Sequence, residues 1–418
     1  MNRIIIGMLF LFHLSFAADA TIDLVKTIQK TPSIQVTYLD NKNTQQAQKV
    51  YKMLIGDLNV SGHFVVQEGN KGKTSPNYAE YIDNKIDLLT NVEVLKNENG
   101  YKINIKLFDI NVQSLIFDKT YLMDDENLYP FAAHKIAIDI NNYIKAPPID
   151  WMKRYVVFAA YKNPGETQII VGDYTLTYKK VIINDGLNFF PKWANLDQTE
   201  IYFTKILNNM PTIIRYNVYT GISSHVMTSP GMAVVSDVSR DSQKLLLTLS
   251  PVGEPDIFLY DLKTKQKIQL TQYRGIDVSG SFVNEDKGVI FVSDRLGYPN
   301  IFYKELREDA PVEQVVFHGK NNSSVSSYQN YVVYSSRETN NDFGPNTFNL
   351  YLISTKNDFI RRLTANGVNQ MPRFSADGDS VMFVKVLPRE SALGIIRLNY
   401  NKTFLFSIKN LQIQSFDW

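Results

Sequence analysis

The sequence predicts an α+β N-terminal domain followed by an all-β six-bladed propeller, with the ring closed by the C-terminal strand. Three observations predict it. Asp261 in the segment Asp256 to Thr271 has counterparts at Asp173, Asn217, Glu305, Ser354 and Asn399; taken in chain order, these six positions lie 44, 44, 44, 49 and 45 residues apart. A second set of anchors, Trp193, Val238, Phe282, Tyr328, Phe374 and Trp418, keeps nearly the same interval. From Trp151 onward helical periodicity is absent, and each unit offers four short strand-like runs. A period of roughly 40–45 residues carrying several short strands per unit is the signature of a propeller blade.

The elements follow in order. Asn2-Arg3 gives a basic start, Ile4 to Phe16 an apolar run, and Ala17, Ala18 and Ala20 small residues. This is the pattern of a cleavable export signal over residues 1–20, cut after Ala17 or Ala20. The run is shorter than the ~20 apolar residues of a membrane span, so an exported, soluble mature protein is expected. Residues 21–145 read as the α/β domain. Val50, Tyr51, Leu54, Ile55 and Leu58 share one face of a helix over Gln45 to Leu58, which Ser61-Gly62 ends. His63 to Val66 begins a strand, and Ile103, Ile105 and Leu107 alternate with polar residues as a half-buried strand does. Ser114 to Phe117 pairs with that strand. Leu128 to Ile144 forms a second helix, stopped by Pro147-Pro148. Residues 146–151 read as a stiff linker and 152–418 as the propeller. The first unit, from Tyr155, lacks the strand that should precede it. Ile413 to Trp418 supplies that strand, in register, and so removes the sheet edges of the ring.

Composition narrows the chemistry. Net charge is +2 with no dense Lys/Arg run, which argues against nucleic acid or an anionic membrane as the main partner. There is no cysteine, hence no disulfide, thiol or Cys-based zinc chemistry. Gly72-Lys73-Thr74 resembles the end of a phosphate loop, but Gln67 stands where the first glycine belongs and no helix pattern follows. His63, His134, His225 and His318 lack metal-ligand spacing, and His134 within a helix pattern reads as structural. No G-x-S-x-G elbow is present. Asp-Gly and Asn-rich turns satisfy turn geometry without calcium. The aromatic anchors read as blade packing. No catalytic residues, metal or cofactor are expected, and a binding scaffold with its site on loops at one end of the axis is the favoured function. The alternative is a peptidase-type or small-ligand-binding propeller module.

Several stretches resemble one family. Asp57-Leu58-Asn59-Val60-Ser61-Gly62-His63-Phe64 is similar to the D-L-x-x-S-G-x-F stretch of the TolB family, the periplasmic propeller proteins of the Tol–Pal system. Ala133-His134-Lys135-Ile136-Ala137 with Asp139 resembles its A-H-x-I-A-D helix. Phe374-Ser375-Ala376-Asp377-Gly378 resembles its W/F-S-P-D-G turn, and Val292 to Phe302 its V-S-D-R-x-G-x-P-x-I-Y run. Ser239-Arg240-Asp241-Ser242 and Val283-Asn284-Glu285-Asp286 depart from the turn, and Asn340 to Asn346 is an insertion. The resemblance implies a non-enzymatic, monomeric scaffold. It implies that the lipoprotein Pal docks in the axial mouth, where register nominates Met232, Val235, Val278, Ser279, Asn369 and Gln370. It also implies that the first mature residues, with Thr21, Ile22, Asp23, Leu24 and Val25, bind TolA of the inner-membrane complex.

Overall fold

In the α/β domain, apolar residues at helical spacing give α1 (Thr44–Ser61) and α3 (Tyr129–Tyr143), which pack on one face of a mixed sheet. The computed structural model describes residues 31–39, 41, 43–339 and 346–418. The expected signal, the segment Thr21 to Val25 and most of the insertion after Thr339 lie outside these. The sheet comprises β1 (Ser33–Tyr38), β2 (Val65–Lys71), β3 (Leu88–Asn97), β4 (Gly100–Asp109) and β5 (Ser114–Met123), in the order β2-β1-β3-β4-β5. The pairs β1–β2 and β1–β3 are parallel, and β3–β4 and β4–β5 antiparallel. A short helix, α2 (Tyr78–Asp83), sits beside a small second cluster of Ile86, Leu89, Phe108 and Ile110.

The propeller has six sheets of four strands, the last two sheets bridged by the single pair Phe348–Val368. The innermost strands are Ile413–Asp417, Asn188–Trp193, Ala233–Val238, Asp277–Val283, Lys320–Tyr328 and Val368–Phe374 for blades one to six. Each lies against the next, and the sixth lies against the first. Ile413–Asp417 pairs antiparallel with Val156–Asn163, so blade one is built from both ends of the propeller segment. The second strand of each blade is buried on both faces, which is why it reads as a continuous apolar run. Leu245 and Leu247 enter the cluster shared with blade two, whereas Leu246 enters the one shared with blade four.

One anchor shifts by a residue. Phe374 pairs with Val381, Phe282 with Val289 and Trp193 with Ile201, the first apolar residue of each second strand. In blade five that partner, Val332, pairs with Ser327 rather than the expected Tyr328. Recounted from Ser327, a bulge in four inner strands falls into register. Phe190, Ser279, Ser324 and Met371, each three residues before its anchor, have φ of 52°, 57°, 53° and 55°. Such bulges re-aim side chains and increase the local twist.

The segment 146–151 is packed rather than free. Ile149, Trp151 and Met152 are buried in one hydrophobic cluster that runs from the α/β domain into blades one and six. Asn141 Nδ2 ties it by donating to the Pro147 carbonyl at 2.9 Å.

Candidate functional site: the axial channel and the domain junction

The residue before each anchor points toward the propeller axis. In blade order these are Asp417, Lys192, Asp237, Ser281, Ser326 and Arg373, a belt whose charges cancel. Lys192 Nζ bridges Asp417 at 3.0 Å and Asp237 at 3.1 Å, and Arg373 Nε lies 3.8 Å from Asp417. The same residues stitch neighbouring blades. Trp193 N–H donates to Asp417 Oδ2 at 2.9 Å, Phe282 N–H to Asp237 Oδ2 at 2.9 Å, and Phe374 N–H to Ser326 Oγ at 3.4 Å. No single residue type runs through this belt, which mixes acidic, basic and hydroxyl side chains. Their offset from the anchors was the available signal.

On one side of the belt, at the starts of the inner strands, lies a narrow cavity of about 240 Å³. Met232, Val235, Val278 and Ser279 line it, with Phe190 and Met371 on their bulges. Among the nominated residues the structure therefore brings these four together. Val235 is only 4% exposed and belongs largely to the core between blades two and three. Asn369 and Gln370 are not in the cavity wall. Asn369 is 1% exposed, and its Nδ2 is shared among Phe348 O, Asn349 Oδ1 and Asn366 O, so its amide ties blade six to blade five. Gln370 is half-buried beside it.

On the other side of the belt is a wider cavity of about 460 Å³, formed where the inner strands end in their turns. The Ser239 turn keeps the hydrogen bond of the standard turn, whereas Val283 in the other departing turn has no hydroxyl to make it. Ser375 Oγ donates to Asp377 Oδ1 at 2.5 Å, and Ser239 Oγ to Asp241 Oδ1 at 2.6 Å. Ser242 takes the left-handed conformation that Gly378 has in the standard turn.

At the domain junction, three family-like positions meet the propeller. His134 on α3 lies between Asp57 on α1, 2.8 Å from Nδ1, and Asp173 of blade one, 3.4 Å from Nε2. Tyr174 O–H donates to Asp57 Oδ1 at 2.5 Å, and all four side chains are fully buried. Burial alone would lower the His134 pKa, but the two carboxylates outweigh it and hold it up at about 9. Burial pushes Asp57 upward. Asp173 is also buried, yet His134, Thr175 and the Tyr178 N–H together hold it below the usual carboxylate range. Arg397 is buried beside them, its guanidinium 5.4 Å from the Trp151 ring and 5.5 Å from that of Tyr400. Gly62, which caps α1 at φ 79°, is held against the Tyr400 ring, where a Cβ would approach to 3.1 Å. This is structural chemistry, as expected for His134.

Fold and channel define the class: a six-bladed propeller carrying an α/β domain and offering two mouths on one axis. Residues 20–116 match the family model of the TolB amino-terminal domain, and residues 153–418 that of the TolB beta propeller domain. The chain is 53% identical over 411 residues to the Tol-Pal system protein TolB of Wolinella succinogenes, covering 96% of this chain and 97% of that one. It is 48% identical to the protein of the same name from Helicobacter pylori strain 26695, covering 98% and 99%. The crystal structure of TolB from Acinetobacter baumannii has the same fold, with a TM-score of 0.77 at 18% identity, over 93% of this chain and 96% of that one. The chain belongs to the TolB family of Tol–Pal system proteins. Among the described residues no helix is long and apolar enough to cross a membrane.

Proposed function

We propose that this chain is a non-enzymatic periplasmic scaffold that links the lipoprotein Pal to TolA, serving outer-membrane integrity and constriction during cell division. The observation that carries the proposal is the narrow mouth: Met232, Val278 and Ser279, nominated by register, converge on one small cavity framed by Phe190 and Met371. Apolar side chains around a concave site suit docking of a protein loop. Val235 and Asn369 support this face from within, and Gln370 flanks it. The TolA contact is assigned to the segment beginning Thr21-Ile22-Asp23-Leu24-Val25.

The test is capture from a periplasmic extract. Met232→Asp and Val278→Asp, each placing a charge at the mouth, are expected to abolish capture of Pal while circular dichroism stays unchanged. Deleting residues 21–27 is expected to abolish TolA capture and leave Pal capture in place. Undiminished Pal binding by both mouth variants would refute the assignment of this face. Sugar- or metal-dependent binding in place of a lipoprotein would favour a small-ligand propeller.

A further inference from the structure

We propose that the wide mouth, at the opposite end of the channel from the proposed Pal site, binds a small ligand through an oxyanion, a carboxylate or a phosphate, held by Arg154 and Arg373. Its volume of about 460 Å³ lies within the range of small-molecule sites. The charged side chains lining it balance in number: Arg154, Lys192, Arg240 and Arg373 against Asp237, Glu285, Asp286 and Asp417. Which of these groups remain unpaired therefore decides the ligand's sign.

The two belt carboxylates are committed. Asp417 receives Lys192, the Trp193 N–H and Arg373, and Asp237 receives Lys192, Ser281 and the Phe282 N–H. Asp286 accepts from the Arg240 N–H at 2.8 Å, and Glu285 pairs with Lys287 at 3.3 Å. Two of the donors are held more loosely. Among the described residues Arg154 makes one hydrogen bond, from Nη1 to the Leu196 carbonyl at 3.1 Å, and no ion pair. Arg373 holds its Nε 3.8 Å from Asp417 and makes one long hydrogen bond, from Nη1 to the Val325 carbonyl at 3.5 Å.

Four buried nitrogens of residues around this mouth have no hydrogen-bond acceptor among the described residues: Arg154 Nε, Trp193 Nε1, Trp418 Nε1 and Arg373 Nε, the last 3.8 Å from Asp417. Trp193 is 6% exposed. Buried polar groups are nearly always paired; these four nitrogens are covered by neighbouring atoms, so direct contact with a ligand falls to the outer N–H groups of the two arginines. The guanidiniums, a quarter of the Arg373 side chain being exposed, present their remaining N–H groups to the ligand. The planar fork of arginine matches carboxylate and phosphate geometry. Burial pushes the Arg154 guanidinium down from its ordinary value, and the Asp417 and Asp197 carboxylates act against that.

Two of the chain's three tryptophans stand in this wall, so indole fluorescence reports on it directly. Sodium phosphate and sodium glutarate are each titrated into the full chain at constant ionic strength, with chloride as the reference. A saturable emission change is expected with at least one of them. Phosphate alone would assign a phosphoryl ligand, glutarate alone a carboxylate, and both the shared oxyanion chemistry. Arg154→Gln and Arg373→Gln are each expected to weaken binding by about tenfold or more, the loss of a charge-assisted hydrogen bond. Arg154→Lys, which keeps the charge and loses the fork, is expected to weaken it too. It also serves as the test if Arg154→Gln melts below assay temperature. No saturable response to either anion, or unchanged affinity in every folded variant, would overturn the proposal and leave only water in the mouth.

Discussion

His134 is the residue whose charge folding alters most clearly. Its folded pKa of about 9 stands above the ordinary 6.5, so the folded state holds the proton more tightly than the unfolded chain. The stability this contributes is fully present below pH 6.5 and is lost as pH rises through about 9. Asp57, raised by burial, acts in the same direction at lower pH, whereas the depressed Asp173 loses its contribution only in acid. The expected outcome is a melting temperature that falls between pH 6.5 and 9, with His134→Asn lower throughout and flat across that window. A variant that keeps the wild-type slope would place the titration elsewhere. At this scale the sequence was legible in part. His134 read as structural, and Asp57 entered only as a member of a motif. The ion triad needs Asp173 from another domain, 39 positions downstream of His134, a pairing that no local pattern encodes. The belt was hidden for a different reason: Lys192, Asp237, Ser281 and Arg373 hold equivalent places with unlike chemistry.

Elements with one buried face were easy to read. Helices α1 and α3 and strand β4 show clean periods because water lies on their other side. The central strand β3 is buried over most of its length, from Leu88 to Val92 and at Val94, so it shows no alternation and went unread. The anchor in blade five was misplaced by one residue because its inner strand has two register shifts and nine residues, more than any other inner strand. The closing strand was readable from its register alone, and the structure adds what it contributes. Ile413 and Phe416 are buried, Asp417 receives Lys192 and the Trp193 N–H, and Ser415 Oγ accepts from the Phe190 N–H at 2.9 Å. Deleting residues 412–418 removes all of these and exposes the edge of Val156–Asn163. Since truncating one buried Phe costs about 3–5 kcal/mol, the deletion should lower the melting temperature by more than ~10 °C. Phe416→Ala should reproduce part of that loss. An unchanged melting curve for the deletion would mean the strand is dispensable.

Across the molecule, the boundary between domains in sequence is not a boundary in packing. Ordinarily a proline-marked connector between an α/β unit and a propeller implies independent motion and separate unfolding. Here Trp151, 2% exposed, inserts between the units, its ring 5.3 Å from Tyr174, 5.5 Å from Trp418 and 5.4 Å from the Arg397 guanidinium. The same indole thus touches the connector's own domain junction, blade one and blade six, where the ring of blades begins and ends. Hydrophobic continuity through Ile149 and Met152 makes the α/β domain part of the core that holds the closing strand in place. The consequence is cooperative unfolding. Calorimetry of the full chain should give one transition in which the α/β domain does not melt ahead of the propeller. Trp151→Ala, expected to cost about 3–5 kcal/mol as a large-to-small core change, should split it into two. Hydrogen exchange locates the break: in the variant, protection in α3 and in Ile413–Asp417 should fall together while blades three and four keep theirs. Separate transitions already present in the unmodified chain would show that the shared cluster does not couple the two units.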